Sequence, residues 1–171
     1  MRTNELGTIN GQGPFRRVEV KRLLSAPIAK VWNAISEADE VGRWWAPGEI
    51  DPREGGRVQL GADGENCEEG FPLEGTIKVF QPPHILEYTW NEGYEPAMGM
   101  VRFDLVEVDE NTTELTLVQI VPAKDVIQAA AGWHQIVEHL GLYVVDVNAV
   151  EVLEEDDRFS ELCSLYEQAK I

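Results

Sequence analysis

Apolar and polar residues alternate from Phe15 to Leu24, with Phe15, Val18, Val20 and Leu23 as the apolar members, and this period predicts a strand. Ser25-Ala26-Pro27 ends it. Proline suits a first helical turn because its missing N–H has no partner there, so a short helix is predicted from Pro27, presenting Ile28, Val31, Trp32 and Ile35. Helical character over Ser36 to Val41 then delivers the pair Trp44-Trp45, and Pro47-Gly48 stops it.

From Gly55 to Pro122 the period becomes two. The segments are Arg57 to Leu60, Leu73 to Phe80, Ile85 to Trp90, Met98 to Val108 and Thr113 to Val121. Turn-forming residues separate them, at Gly61-Ala62-Asp63-Gly64, Gln81-Pro82-Pro83-His84, Asn91-Glu92-Gly93 and Asp109-Glu110-Asn111. Strands joined this tightly are antiparallel, and with the first strand they number six. After Pro122, Asp125 caps a predicted helix to Asp146, about 33 Å long. Its stripe of Val126, Ala130, Trp133, Val137, Leu140 and Val144 needs a broad apolar surface to lie on. A last helix, Arg158 to Ala169, offers Phe159, Leu162, Leu165 and Tyr166 to this chain or to a second copy, the latter giving a homodimer. The expected organisation is a flexible start over 1–14, one domain over 15–146, and an acidic linker with a short helix over 147–171.

The order β-α-α-β-β-β-β-β-α is that of the α+β helix-grip fold, and particular residues sharpen the match. They are Pro27 with Val31-Trp32, Trp44-Trp45, Gly55-Gly56-Arg57, Gly75, and Pro83 leading to Leu86, Tyr88 and Trp90. Val101, Phe103 and Leu105, then Thr113, Leu115 and Leu117, then Gly132-Trp133 complete the set. Over residues 16 to 145 the chain resembles the branch of the START-like (SRPBCC) superfamily named after the activator of the heat-shock protein 90 ATPase. The resemblance implies a birch-pollen-allergen-like fold: six curved antiparallel strands wrapped around a long C-terminal helix, with a cavity between them. Such proteins serve as lipid or hormone carriers, polyketide cyclases or, in a few members with further domains, co-chaperones.

A sheet curled round a helix leaves space along the helix unless large side chains fill it. The candidate lining is Trp44, Trp45, Phe80, Tyr88, Trp90, Met100, Phe103, Gln119, Trp133 and Val137, mostly aromatic and suited to a small apolar or amphipathic molecule. Gln119 continues the face of Leu115 and Leu117 as a polar group inside. The same alternation sends Arg102 and Asp104 to the solvent side, and His84 in its turn is expected to be exposed.

The acidic excess, 31 against 14 basic residues for a formal charge of −17, opposes nucleic acid and anionic membranes. No apolar run is long enough for stable membrane insertion, and the start has no signal-like segment, so a cytoplasmic protein is expected. Two cysteines, Cys67 and Cys163, exclude a disulfide framework or a cysteine-rich zinc site. His134 and Glu138 share a helix face, whereas His139 diverges from His134 by about 140°, which spoils a metal site and leaves His134 expected as a solvated histidine. With no nucleophile motif, phosphate loop or dinucleotide fingerprint, no cofactor is expected. The readings that follow are a binding protein for an apolar ligand, a cyclase or dehydratase using Tyr88, Gln119 or His134 in the same cavity, and a co-chaperone-type interaction module.

Overall fold

The computed structural model describes residues 5–61, 73–91, 99–149 and 156–169. Cys67, Met98 and the expected turn residues 62–64 and 92–93 lie outside them. Strands of four or more residues fall where the period of two places them: β2 (Phe15–Leu24), β4 (Arg57–Leu60), β5 (Leu73–Gln81), β6 (Ile85–Thr89), β7 (Met100–Asp109) and β8 (Thr112–Pro122). Two further strands of three residues, β1 (Thr8–Asn10) and β3 (Gly48–Ile50), raise the count among the described residues from the expected six to eight. β1 lies in the segment read as a flexible start, and it pairs with β2 while burying Ile9. β3 begins at the glycine read as a helix stop.

All neighbours are antiparallel, in the order β1-β2-β8-β7-β6-β5-β4-β3. Register sets one inward row as Val18, Gln119, Val101, Tyr88 and Ile77, and the next as Val20, Leu117, Phe103, Leu86 and Phe80. These rows form the covered face. The pairing slips by one residue between Ile77 and Val79, a bulge that bends β5. Gly75 is required nearby, because a Cβ there would stand 1.9 Å from the carbonyl oxygen of Thr89.

The register also corrects the phase read for β2. Val18 and Val20 point inward, so Phe15 and Leu23 point outward and are 51% and 65% exposed, while Arg22 sits on the inner face opposite Leu115.

The helices cover the inner face. α1 (Ile28–Ser36) follows Pro27 and buries Val31, Trp32, Ala34 and Ile35. α2 (Ala38–Trp44) is tied to it by Trp44, whose indole N–H donates to the Ala34 carbonyl at 2.9 Å. A 3₁₀ turn (Ala123–Asp125) leads into α3 (Val126–Tyr143), which lies against β2 and β8 with Ala130, Trp133, Val137 and Leu140 buried. At its end the Tyr143 hydroxyl donates to Glu40 on α2 at 2.5 Å. No described helix is long and apolar enough to cross a membrane.

α4 (Asp156–Ala169) docks on α3 of its own chain. Leu162 and Tyr166 are fully buried, so the apolar stripe that could have served a second copy is covered internally. The outward face of α3 is therefore an interior surface, and His134, expected in solvent, is wholly buried.

Candidate functional site

Six of the ten candidate residues meet in one ring cluster between α2, the inner sheet face and α3. Trp45 is its hub: its ring lies 5.8 Å from Trp44, 5.9 Å from Trp90 and 5.6 Å from Trp133. Trp90 and Trp133 meet edge to face at 5.1 Å, Trp133 meets Phe103 at 6.1 Å, and Phe103 stacks on Tyr88 at 6.2 Å. Such spacings are those of favourable aromatic pairs, about 0.5–1.5 kcal/mol each. The rings expected to stand apart around a hollow thus touch one another.

They are held unequally. Trp44 is pinned by Ala34, and the Trp133 indole N–H donates to the side-chain oxygen of Gln119, both buried. Trp45 is half-buried, and its side chain makes no hydrogen bond among the described residues; ring contacts alone hold it. Trp90 is likewise half-buried. The cluster therefore runs from fixed buried rings to loosely held ones at the rim.

Tyr88 lies in the same register row as Gln119, with Val101 between them. Burial pushes its phenol pKa well above the ordinary range, and its hydroxyl makes no hydrogen bond among the described residues. It keeps its proton and can donate to a carbonyl, but it is a poor base.

The remaining candidates separate. Phe80 packs edge to face on Trp32 at 5.3 Å, beside α1. Val137 borders a different recess, together with Arg22 and Gly141. Met100 is a correction: alternation with buried Val101 turns it outward, 42% exposed. Arg102 and Asp104 do face outward, joined by two hydrogen bonds of 2.8 Å. His84 is exposed, as expected from its turn.

His134 belongs to a polar network that the spacing of residues did not reveal. Its Nδ1 lies 3.1 Å from the Tyr166 hydroxyl, and its Nε2 lies 3.2 Å from Arg22 and 3.3 Å from Glu138. The Gly7 N–H donates to the same Tyr166 hydroxyl at 2.8 Å. Glu138 in turn takes two hydrogen bonds from Arg158. Apart from Glu138 on α3 itself, these partners lie in β2 and α4, with Gly7 of the N-terminal segment behind Tyr166, so His134 serves the clasp of α4 and is engaged away from the rings. Only Glu138, four residues on, was within reach of a spacing argument.

The crystal structure of CalU16 from Micromonospora echinospora has the same fold, with a TM-score of 0.74 at 20% identity over 95% of each chain. A conserved protein of unknown function from Enterococcus faecalis, EF2215, matches with a TM-score of 0.73 at 19% identity, over 96% of this chain and 90% of that one. DynU16, from the dynemicin biosynthetic locus, matches with a TM-score of 0.64 at 23% identity, over 76% of this chain and 47% of its own longer chain. Among curated proteins none matches the chain. The family described as Activator of Hsp90 ATPase homolog 1-like protein matches residues 25–144, from the end of β2 to the end of α3 with every ring of the cluster inside, and the chain belongs to that family.

Proposed function

We propose that this protein binds a small apolar or amphipathic molecule with a flat unsaturated part, taken up among the rings between the sheet and α3. The observation that carries this reading is the contrast between Trp45 and two of its neighbours: a half-buried ring without a side-chain hydrogen bond among the described residues, stacked on hydrogen-bonded Trp44 and edge-on to hydrogen-bonded Trp133. A planar ligand can replace Trp45 against Trp90 and Trp133 at little net cost, because it restores the same contacts. Tyr88 and the Gln119–Trp133 pair supply polar groups deeper in the site for a carbonyl or hydroxyl.

The likeness to DynU16, a protein of the dynemicin biosynthetic locus, is one of fold and carries no substrate across. A cyclase mechanism has less support. His134 is bound into the α4 clasp, and Tyr88 holds its proton too firmly to serve as a base.

The test is a thermal-shift screen of polycyclic aromatic and lipid ligands, followed by tryptophan fluorescence. A binder must raise the melting temperature and change indole emission, and Trp45→Ala must alter its affinity. Ligands that stabilise the protein while leaving indole emission and the Trp45→Ala affinity unmoved would place binding elsewhere and refute this reading.

A further inference from the structure

A recess of about 300 Å³ opens between the last residues of β2 and the C-terminal half of α3, apart from the ring cluster. Leu24, Val137 and Gly141 form its walls, and Leu23 and Val145, 65% and 60% exposed, form an apolar rim. Arg22 supplies the polar element. It stands in the inward row of β2, between Val20 and Leu24. One guanidinium nitrogen donates to the Lys21 carbonyl at 2.7 Å, and another donates to the Glu5 carbonyl at 2.5 Å and lies 3.2 Å from His134.

The remaining nitrogen, Nε, is buried and has no acceptor among the described residues. No carboxylate forms an ion pair with Arg22 among the described residues. Glu138 also borders the recess, but Arg158 engages both of its oxygens, which leaves Arg22 as the uncompensated charge there. A buried donor without an acceptor is rare in native proteins, and a bound acceptor removes its cost.

We propose that this recess is a second binding site, for a short amphiphilic carboxylate whose head accepts from Arg22 and whose chain lies over Val137, Gly141 and Val145. The overall charge of −17 does not attract an anion, so recognition must come from this local cation. The volume equals that of about ten water molecules, which limits the ligand to about ten non-hydrogen atoms. That is the lower end of ligand pockets.

Octanoate, of about that size, is the probe, with octanol as the uncharged control, followed by amide, arginine Nε–H and indole N–H signals in nitrogen-15 NMR. Octanoate should move the signals of Arg22, Leu23, Gly141 and Val145, and octanol should bind at least about tenfold more weakly. Arg22→Gln should weaken octanoate by a similar factor. Gly141→Leu keeps the fold if Arg22→Gln does not, since it replaces a helical glycine and its Cβ meets only Leu24 at 3.5 Å. It must block octanoate by filling the recess. Equal binding of octanol and octanoate, no shift at millimolar octanoate, or unchanged octanoate binding in Gly141→Leu would each overturn the proposal. Shifts confined to the indole N–H signals would also overturn it, while supporting the ring site. Failure of the ring site is read separately, from Trp45→Ala and planar ligands.

Discussion

Arg158 on α4 and Glu138 on α3 meet in a two-point contact, with Nε donating at 3.1 Å and a terminal nitrogen at 2.6 Å, both side chains about 95% buried. The hydrogen bonds from Glu138 raise the Arg158 pKa further above its ordinary value, so the guanidinium is charged at any working pH. Removing one partner of such a pair leaves the other buried and uncompensated, which costs about 3–5 kcal/mol. Arg158→Met is expected to lose stability on that scale in urea unfolding. The double change Glu138→Leu with Arg158→Met should lose clearly less, the residue reflecting the contact that His134 also makes with Glu138. Equal losses in the single and double variants would show that packing of α4, and not charge, sets its attachment.

Undocking of α4 has its own reporter. Cys163 is half-buried on that helix, and burial first, with Glu167 second, pushes its thiol pKa up. A thiol held protonated reacts slowly. In a Cys67→Ser background, alkylation of Cys163 should be slow at neutral pH and faster in Arg158→Met, by up to the factor of about 10²–10³ that a loss of about 3–5 kcal/mol gives to undocking. Equal rates would mean that α4 remains seated without its buried pair.

Tyr88, Tyr143 and Tyr166 all have phenol pKa values raised first by burial, Tyr143 also by its bond to Glu40. Above about pH 10 the unfolded chain releases these protons while the native chain keeps them. The native state then binds more protons, so stability falls as pH rises. The contribution is whole below pH about 10 and disappears as pH climbs through the raised native values. Phenolate absorbance should therefore rise in step with alkaline unfolding for these three residues. A gradual rise near the ordinary tyrosine value, with tertiary structure intact, would contradict the burial assigned to them.

Periodicity made the long strands, three main helices and the aromatic set legible, because each depends on residues close in the chain. It failed where the decisive partner is remote. The doublet Leu23-Leu24 invited a phase in which Leu23 points inward, and only pairing with β8 shows that Arg22 takes that face. His134 and Glu138 looked like solvent-facing polar residues until α4, some 20 to 32 positions later, covered them. The three-residue β1 and β3 carry too few alternations to register a period. Six of the rings named from the pattern do fall together, but whether they touch or stand apart depends on distances that spacing does not encode.

Trp44 and Trp45 are adjacent in sequence and opposite in consequence. Trp44 is 4% exposed and hydrogen-bonded to Ala34 across the α1–α2 corner, so Trp44→Ala opens a cavity and frees a buried carbonyl. A loss of about 3–5 kcal/mol is expected. Trp45 is half-buried with ring contacts alone, so Trp45→Ala should cost less, because solvent already reaches its rim and no polar partner is stranded. That substitution also uncovers the inner faces of Trp90 and Trp133. If Trp45 gates the ring site, a flat ligand should associate faster with Trp45→Ala and leave faster as well, since the gate closes over it no longer. If Trp45 is only a core residue, its loss should lower stability as much as that of Trp44 and leave both rates unchanged. Stopped-flow indole fluorescence on the two variants separates these outcomes.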